Sequence, residues 1–180
     1  MALSVEELLK LYDTRGTAWY GREAVSQREH ALQCAELAEA AGASPELIAA
    51  CLLHDVGHML SDRNDDFGHE VDDIHQYVAI PALTELFADA VLEPVRLHVD
   101  AKRYLCATDS GYWASLSPAS KQSLEVQGGA FSPEDADNFM RNPHAGDAVL
   151  LRRWDDLAKV PGKATKGLAH YARVLRGCAL

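Results

Sequence analysis

The stretch from Leu47 to Leu60, LIAACLLHDVGHML, is almost wholly apolar, yet it carries His54, Asp55 and His58 in its middle. No other feature constrains the chain as much. Apolar on every side, it predicts a central, buried helix, opened by Ser44 as N-cap and Pro45 in the first turn. A carboxylate buried there is costly unless it is paired or bound to a metal. Histidine is the commonest metal ligand. Adjacent helical residues diverge by about 100°. His54 and Asp55 therefore reach two metals only if the carboxylate bridges, since it has two oxygens where a neutral imidazole offers one lone pair. His58, four residues after His54, is expected on the same face one turn on. The competing reading is a buried salt bridge, and the apolar flanks of the pair favour metal over it.

The rest of the chain reads as helices around this one. Ser4 to about Tyr12 opens with a Ser4/Glu7 capping box. A second helix runs from Ser26 to Ala41 and ends at Gly42. Further helices are expected over Ile74 to Leu86, Ala90 to Tyr104 (Pro94 in its first turn), Ala119 to Val126 and Asp147 to Leu157. Another starts at Ser132, and a last one covers Leu168 to Leu175. Asp13 to Arg22 reads as a loop able to fold over something, and Ser61 to Asp73 as an acidic loop. No segment alternates with strand period, and there is no repeat or linker. The expectation is all-α, a single domain over residues 1–180.

Hydrophobic residues make up 48% and charged residues 24% of the 180, an ordinary globular balance. The formal net charge of −10 argues against a nucleic-acid partner, which needs a basic stripe. It leaves room for a small anion held by a local cluster of cations and metal. Cys34, Cys51, Cys106 and Cys178 form no C-x-x-C pair and read as reduced, structural thiols. The N-terminus has no signal-peptide pattern, and no apolar run reaches membrane-spanning length, so a cytoplasmic protein with no membrane partner is expected. Oligomeric state is not readable from the pattern.

LLHDVGH resembles the motif of the HD superfamily, a group of metal-dependent phosphohydrolases with a few di-iron oxygenases. That resemblance implies a helical HD bundle with an upstream His, the His-Asp pair and a downstream Asp. His30 in REHALQCA fits the first. Asp155 in LRRWDD fits the last, with Asp156 as the competing choice; Asp155 is preferred because it directly follows Trp154. In two-metal members, a His from each of two further helices holds the second metal, here His75 in DDIHQYVAI and His98 in RLHVDAKRYL. His69 is the alternative to His75. The implied sets are His30, His54, Asp55 and Asp155 for one metal, with Asp55, His75 and His98 for the other. His144 and His170 read as surface residues.

Within the superfamily the chain is similar, from about Ser4 to Tyr171, to oxygenases that cleave the carbon–phosphorus bond of 1-hydroxyphosphonates. The matching pieces are Lys102 in HVDAKRYL, one turn after His98; Tyr20 and Glu23 in a Tyr-x-x-Glu loop; Ser120 and Ser123 in SLSPASKQSLEV; and Arg152 in LRRWD. The similarity implies two iron ions in a mixed-valence Fe(II)/Fe(III) pair bridged by Asp55. Tyr20 would be a removable ligand of the second iron, and Glu23, with Asp100, would favour a cationic amine. Trp19 could serve a methylated amine or merely anchor its loop. Lys102, Ser120, Ser123 and Arg152 would hold the phosphonate, and His58 would bind it or move protons. The implied reaction takes a 1-hydroxy-2-(amino or trimethylamino)ethylphosphonate and O2 to phosphate and glycine or glycine betaine. The chain departs from the pattern in the Ser61–Asp73 loop and at Asp100, where a small apolar residue is expected. One rival is an HD phosphohydrolase acting on a nucleotide or phosphate ester, against which the Tyr-x-x-Glu loop and the AKRYL run count. The other is a non-catalytic HD module, against which the full ligand set counts.

Overall fold

A computed structural model describes residues 3–61 and 75–180. The described residues form helices α1 (Val5–Thr14), α2 (Gln27–Ala40), α3 (Pro45–Leu53), α4 (Val56–Leu60), α5 (His75–Leu83), α6 (Asp89–Thr108), α7 (Tyr112–Ser115), α8 (Pro118–Val126), α9 (Pro133–Met140), α10 (Ala145–Leu157) and α11 (Leu168–Cys178). The fold is all-α. Local chemistry sets most starts. Ser4/Glu7 and Ser26/Glu29 close capping boxes, and Ser44, Ser117 and Ser132 cap helices that carry proline in the first turn. All four cysteines are free. Among the described residues no helix is long and apolar enough to cross a membrane.

Helix α3 is the hub. Every residue from Leu47 to Leu53 is buried, and the helix packs against α2, α6 and α11. The Tyr12 hydroxyl donates to the Leu52 carbonyl and ties α1 to it. A smaller apolar cluster of Leu97, Ala101, Phe139, Ala145 and Ala148 joins α6 to α9 and α10. These two clusters fix the elements whose polar residues meet between them.

The long helix expected to run through Leu60 is in fact two. Helix α3 stops at Leu53, α4 restarts at Val56, and Asp55 between them has φ −105° and ψ 10°. Tertiary packing overrides the apolar pattern: α4 turns off to lie against α5. His58 consequently does not follow His54 by one continuous helical turn. Its ring stacks instead on His75, with centroids 4.1 Å apart. Other boundaries also differ. Helix α6 reaches Thr108 with Pro94 beyond its first turn, α5 ends at Leu83, and the short α7 was not expected. His69, the alternative to His75, lies outside the described residues.

Candidate metal centre and active site

Five helices and the α3–α4 break deliver six buried polar side chains to one place. They are His30 (α2), His54 and Asp55 (end of α3 and the break), His75 (start of α5), His98 (α6) and Asp155 (α10), none more than 6% exposed. Three of the rings are oriented from behind. Nδ1 of His30 lies 2.9 Å from the Ala158 carbonyl, that of His54 2.9 Å from Cys51, and that of His98 2.7 Å from Val95. A carbonyl only accepts, so each Nδ1 holds the proton and each Nε2 lone pair points inward.

The inward nitrogens meet in pairs. Nε2 of His30 and His54 are 3.2 Å apart, and those of His75 and His98 are 3.1 Å apart. Asp55 spans the two pairs. Its Oδ2 lies 3.1 Å from His54 Nε2 and 3.5 Å from His30 Nε2, while its Oδ1 lies 3.0 Å from His75 Nε2 and 3.6 Å from His98 Nε2. Asp155 closes the first group, with Oδ1 3.4 Å from His30 Nε2. Asp156 turns the other way, to Arg152 and the Tyr112 hydroxyl.

This donor set fits metal. Facing lone pairs repel unless a cation lies between them. Asp55 Oδ2 and both Asp155 oxygens are buried without a hydrogen bond, a costly state that a cation relieves. Arg152 Nη1 does approach Asp155 Oδ2 at 2.7 Å, a charge contact off the hydrogen-bond direction. Burial disfavours a charged His30, but Asp155 and Asp55 outweigh it and push the ring up to about 9. Burial also opposes ionised carboxylates here, yet His54 beside Asp55, and Arg152 beside Asp155, hold both well below the usual range. Burial and the neighbouring His75 push His98 well down, leaving it a neutral donor. Among the described residues, two groups have ligand atoms within 4.8 Å of one another: His30, His54 and Asp155, and separately Asp55, His58 and His75. His98 adjoins the second through the distances above. His58, expected to act on substrate or protons, thus sits at the metal group itself, its Nε2 3.9 Å from Asp55 Oδ1.

The remaining expected residues gather beside these groups. The Tyr20 ring stacks on His30, centroids 3.9 Å apart, and its phenol lies in the field of the Asp155 and Asp55 carboxylates. Burial, then Asp155 and Asp55, hold that phenol well above its usual range. Lys102 is only 2% exposed and donates to Ser123 Oγ at 2.8 Å; Ser123 in turn donates to the Ser120 carbonyl at 3.1 Å. Burial, then Arg152, lower the Lys102 ammonium to about 7. Arg152 is held between Asp155 and Asp156. Glu23 accepts from the Ser117 hydroxyl at 2.6 Å. Asp100 is taken by Arg103 at 3.8 Å, and Trp19 is 67% exposed, so neither faces this interior. His170 pairs with Glu39, far from the centre in sequence and partners.

Tyr112, Gln33 and Lys159 were not singled out from the sequence. Tyr112 and Asp156 brace Arg152. Gln33 clamps Val160, donating to its carbonyl at 2.9 Å and accepting from its N–H at 3.0 Å. Lys159, between the Ala158 that orients His30 and the clamped Val160, donates to Ser120 Oγ at 3.0 Å and lies 3.4 Å from Glu23 Oε1. Gln33 had a signal, a polar residue amid a buried stripe; Lys159 had none.

Comparison with known proteins identifies the family. Residues 28–127 match the HD domain family. The chain is 44% identical to hydroxymethylphosphonate dioxygenase of Gimesia maris, over 97% of this chain and 87% of that protein. It is 35% identical to the glycine-betaine-forming [1-hydroxy-2-(trimethylamino)ethyl]phosphonate dioxygenase of Leisingera caerulea, over 96% of this chain and 88% of that protein. With the family matched over more than half its length, and such relatives over nearly all of it, this chain belongs to the HD-domain family and is a relative of its hydroxyphosphonate dioxygenases.

Proposed function

We propose that the protein is an iron-dependent dioxygenase that cleaves the carbon–phosphorus bond of a 1-hydroxyphosphonate with O2, releasing phosphate and a carboxylate. The observation that carries this reading is Asp55, whose two oxygens face two separate histidine pairs beside a pocket rich in cations and hydroxyls. The two relatives bear names for this reaction class and differ in what C1 carries.

In this reading His30, His54, Asp55 and Asp155 hold one iron, and Asp55, His75 and His98 hold the other, as a mixed-valence Fe(II)/Fe(III) pair. The irons, when bound, supply O2 activation. The chain's own residues do the rest. Lys102, Arg152, Ser120 and Ser123 receive phosphonate oxygens, combining point charge, planar fork and hydroxyl donors. Tyr20, stacked on His30 and near Asp55, would cap the second iron and give way when substrate binds. His58, beside Asp55 Oδ1, is placed to pass a proton at that edge. Stoichiometry is set by the bonds: C1 loses a C–H and the C–P bond, four electrons in all, which one O2 accepts.

The test is iron-loaded protein with hydroxymethylphosphonate and with 1-hydroxy-2-(trimethylamino)ethylphosphonate, following O2 uptake and phosphate together. One O2 per phosphate is expected on at least one of them. Phosphate released from nitrophenyl esters, with no O2 uptake on any hydroxyphosphonate, would replace this reading by the phosphohydrolase one.

A further inference from the structure

We infer that Lys159 sets the charge selectivity of the site, by neutralising Glu23 so that the mouth suits 1-hydroxyphosphonates whose C1 carries no ammonium-bearing group. The inference rests on the dioxygenase reading above and concerns which member of that substrate class is taken.

Glu23 is the carboxylate that could greet a substrate ammonium. Its Oε1 is already engaged, by the Ser117 hydroxyl at 2.6 Å and by Lys159 Nζ at 3.4 Å. The ion pair is largely sheltered, with side-chain exposures of 11% and 19%, so solvent screens it less than a surface pair. The backbone that carries Lys159 is held on both sides. The preceding Ala158 is fixed by His30 Nδ1 at 2.9 Å, and the following Val160 is held at both backbone groups by Gln33. The same ammonium donates to Ser120 Oγ at 3.0 Å and lies 5.8 Å from the Tyr20 ring centroid. It therefore stands between Ser120, on the phosphonate side, and Glu23, the carboxylate that would meet an ammonium. Its field reaches Lys102 and Asp155 as well. An incoming ammonium would meet a fixed like charge and a carboxylate already spent. A hydrogen on C1 meets a neutral pair and loses nothing.

The rival role for Lys159 is a third phosphonate cation beside Lys102 and Arg152. That role would weaken all hydroxyphosphonates alike. The experiment compares kcat/KM for hydroxymethylphosphonate and for 2-amino-1-hydroxyethylphosphonate in iron-loaded wild type, Lys159→Met, Lys159→Gln and Lys159→Arg. Iron content and helical circular dichroism are recorded for each. Wild type is expected to favour hydroxymethylphosphonate. Met or Gln should move the ratio at least about tenfold towards the amine substrate, and Arg should restore it. A wild type that prefers the amine substrate overturns the inference, even where a variant fails to fold. So does a Met or Gln variant that lowers both values by one common factor. O2 uptake on neither substrate overturns the dioxygenase reading and the inference with it, whereas turnover with an unmoved ratio overturns the inference alone.

Discussion

Gly57 rests so closely on the backbone of His75 that a Cβ at that position would lie 2.0 Å from the His75 carbonyl oxygen. The neighbour is main chain and cannot swing aside. It can retreat only by carrying His75 away from Asp55, where Nε2 and Oδ1 are now 3.0 Å apart. Gly57→Ala is therefore expected to cost about 1–3 kcal/mol of stability and to weaken metal binding on the His75 side of the centre. Denaturant midpoints and iron analysis check both.

Asp55 and His75 should separate in a loading experiment. Asp55→Ala removes a donor from both metal groups and is expected to leave little iron at either. His75→Ala removes a donor from one and should leave about one iron per chain. Both should reduce turnover by more than the ~10–100-fold typical of a lost outer partner of a metal ligand. Iron content per folded chain, with EPR of the iron-loaded protein, distinguishes them. Equal, full loading in Asp55→Ala would refute the bridging assignment.

Lys102 gives the site a pH dependence of definite sign. Burial, then Arg152, lower its ammonium to about 7 in the folded chain, against roughly 10.4 when unfolded. Between those values the unfolded state binds the proton that the folded state lacks, so this group's contribution to stability rises with pH across that window. A phosphonate dianion favours the charged form. Substrate binding above pH 7 should thus take up a proton, and KM should rise from pH 7 to 9. Calorimetry in two buffers of different ionisation enthalpy detects the uptake, and Lys102→Met should abolish it.

Gln33→Leu leaves the Val160 N–H and carbonyl without their partners in a half-buried setting. A loss of about 1–3 kcal/mol is expected, read as a lower melting temperature. The Ala158 carbonyl behind His30 loosens with it, so iron should also leave faster to a chelator.

What could be read in advance follows from how burial writes itself into a sequence. His54 and Asp55 stand out because polar residues amid LLHDVGH need a reason, and the N-caps stand out because serine before proline has a local mechanism. The break between α3 and α4 does not stand out, because residues on both sides of it are buried and the apolar run continues unchanged. The partition of Asp155 and Asp156 rests on Arg152, which reaches both from one turn away; helical spacing alone allows either. Lys159 and Ala158 act through contacts with residues more than a hundred positions away, such as His30. No local pattern encodes these.

Ala158, Lys159 and Val160 form no regular structure, yet each of the three has a separate duty: orienting His30, pairing with Glu23 and docking on Gln33. Irregular segments usually tolerate insertion and deletion. Here a change of one residue in length would shift all three partners at once. This short coil is therefore as intolerant of a frame slip as a core helix, and a library built on this scaffold should vary its side chains while keeping its length.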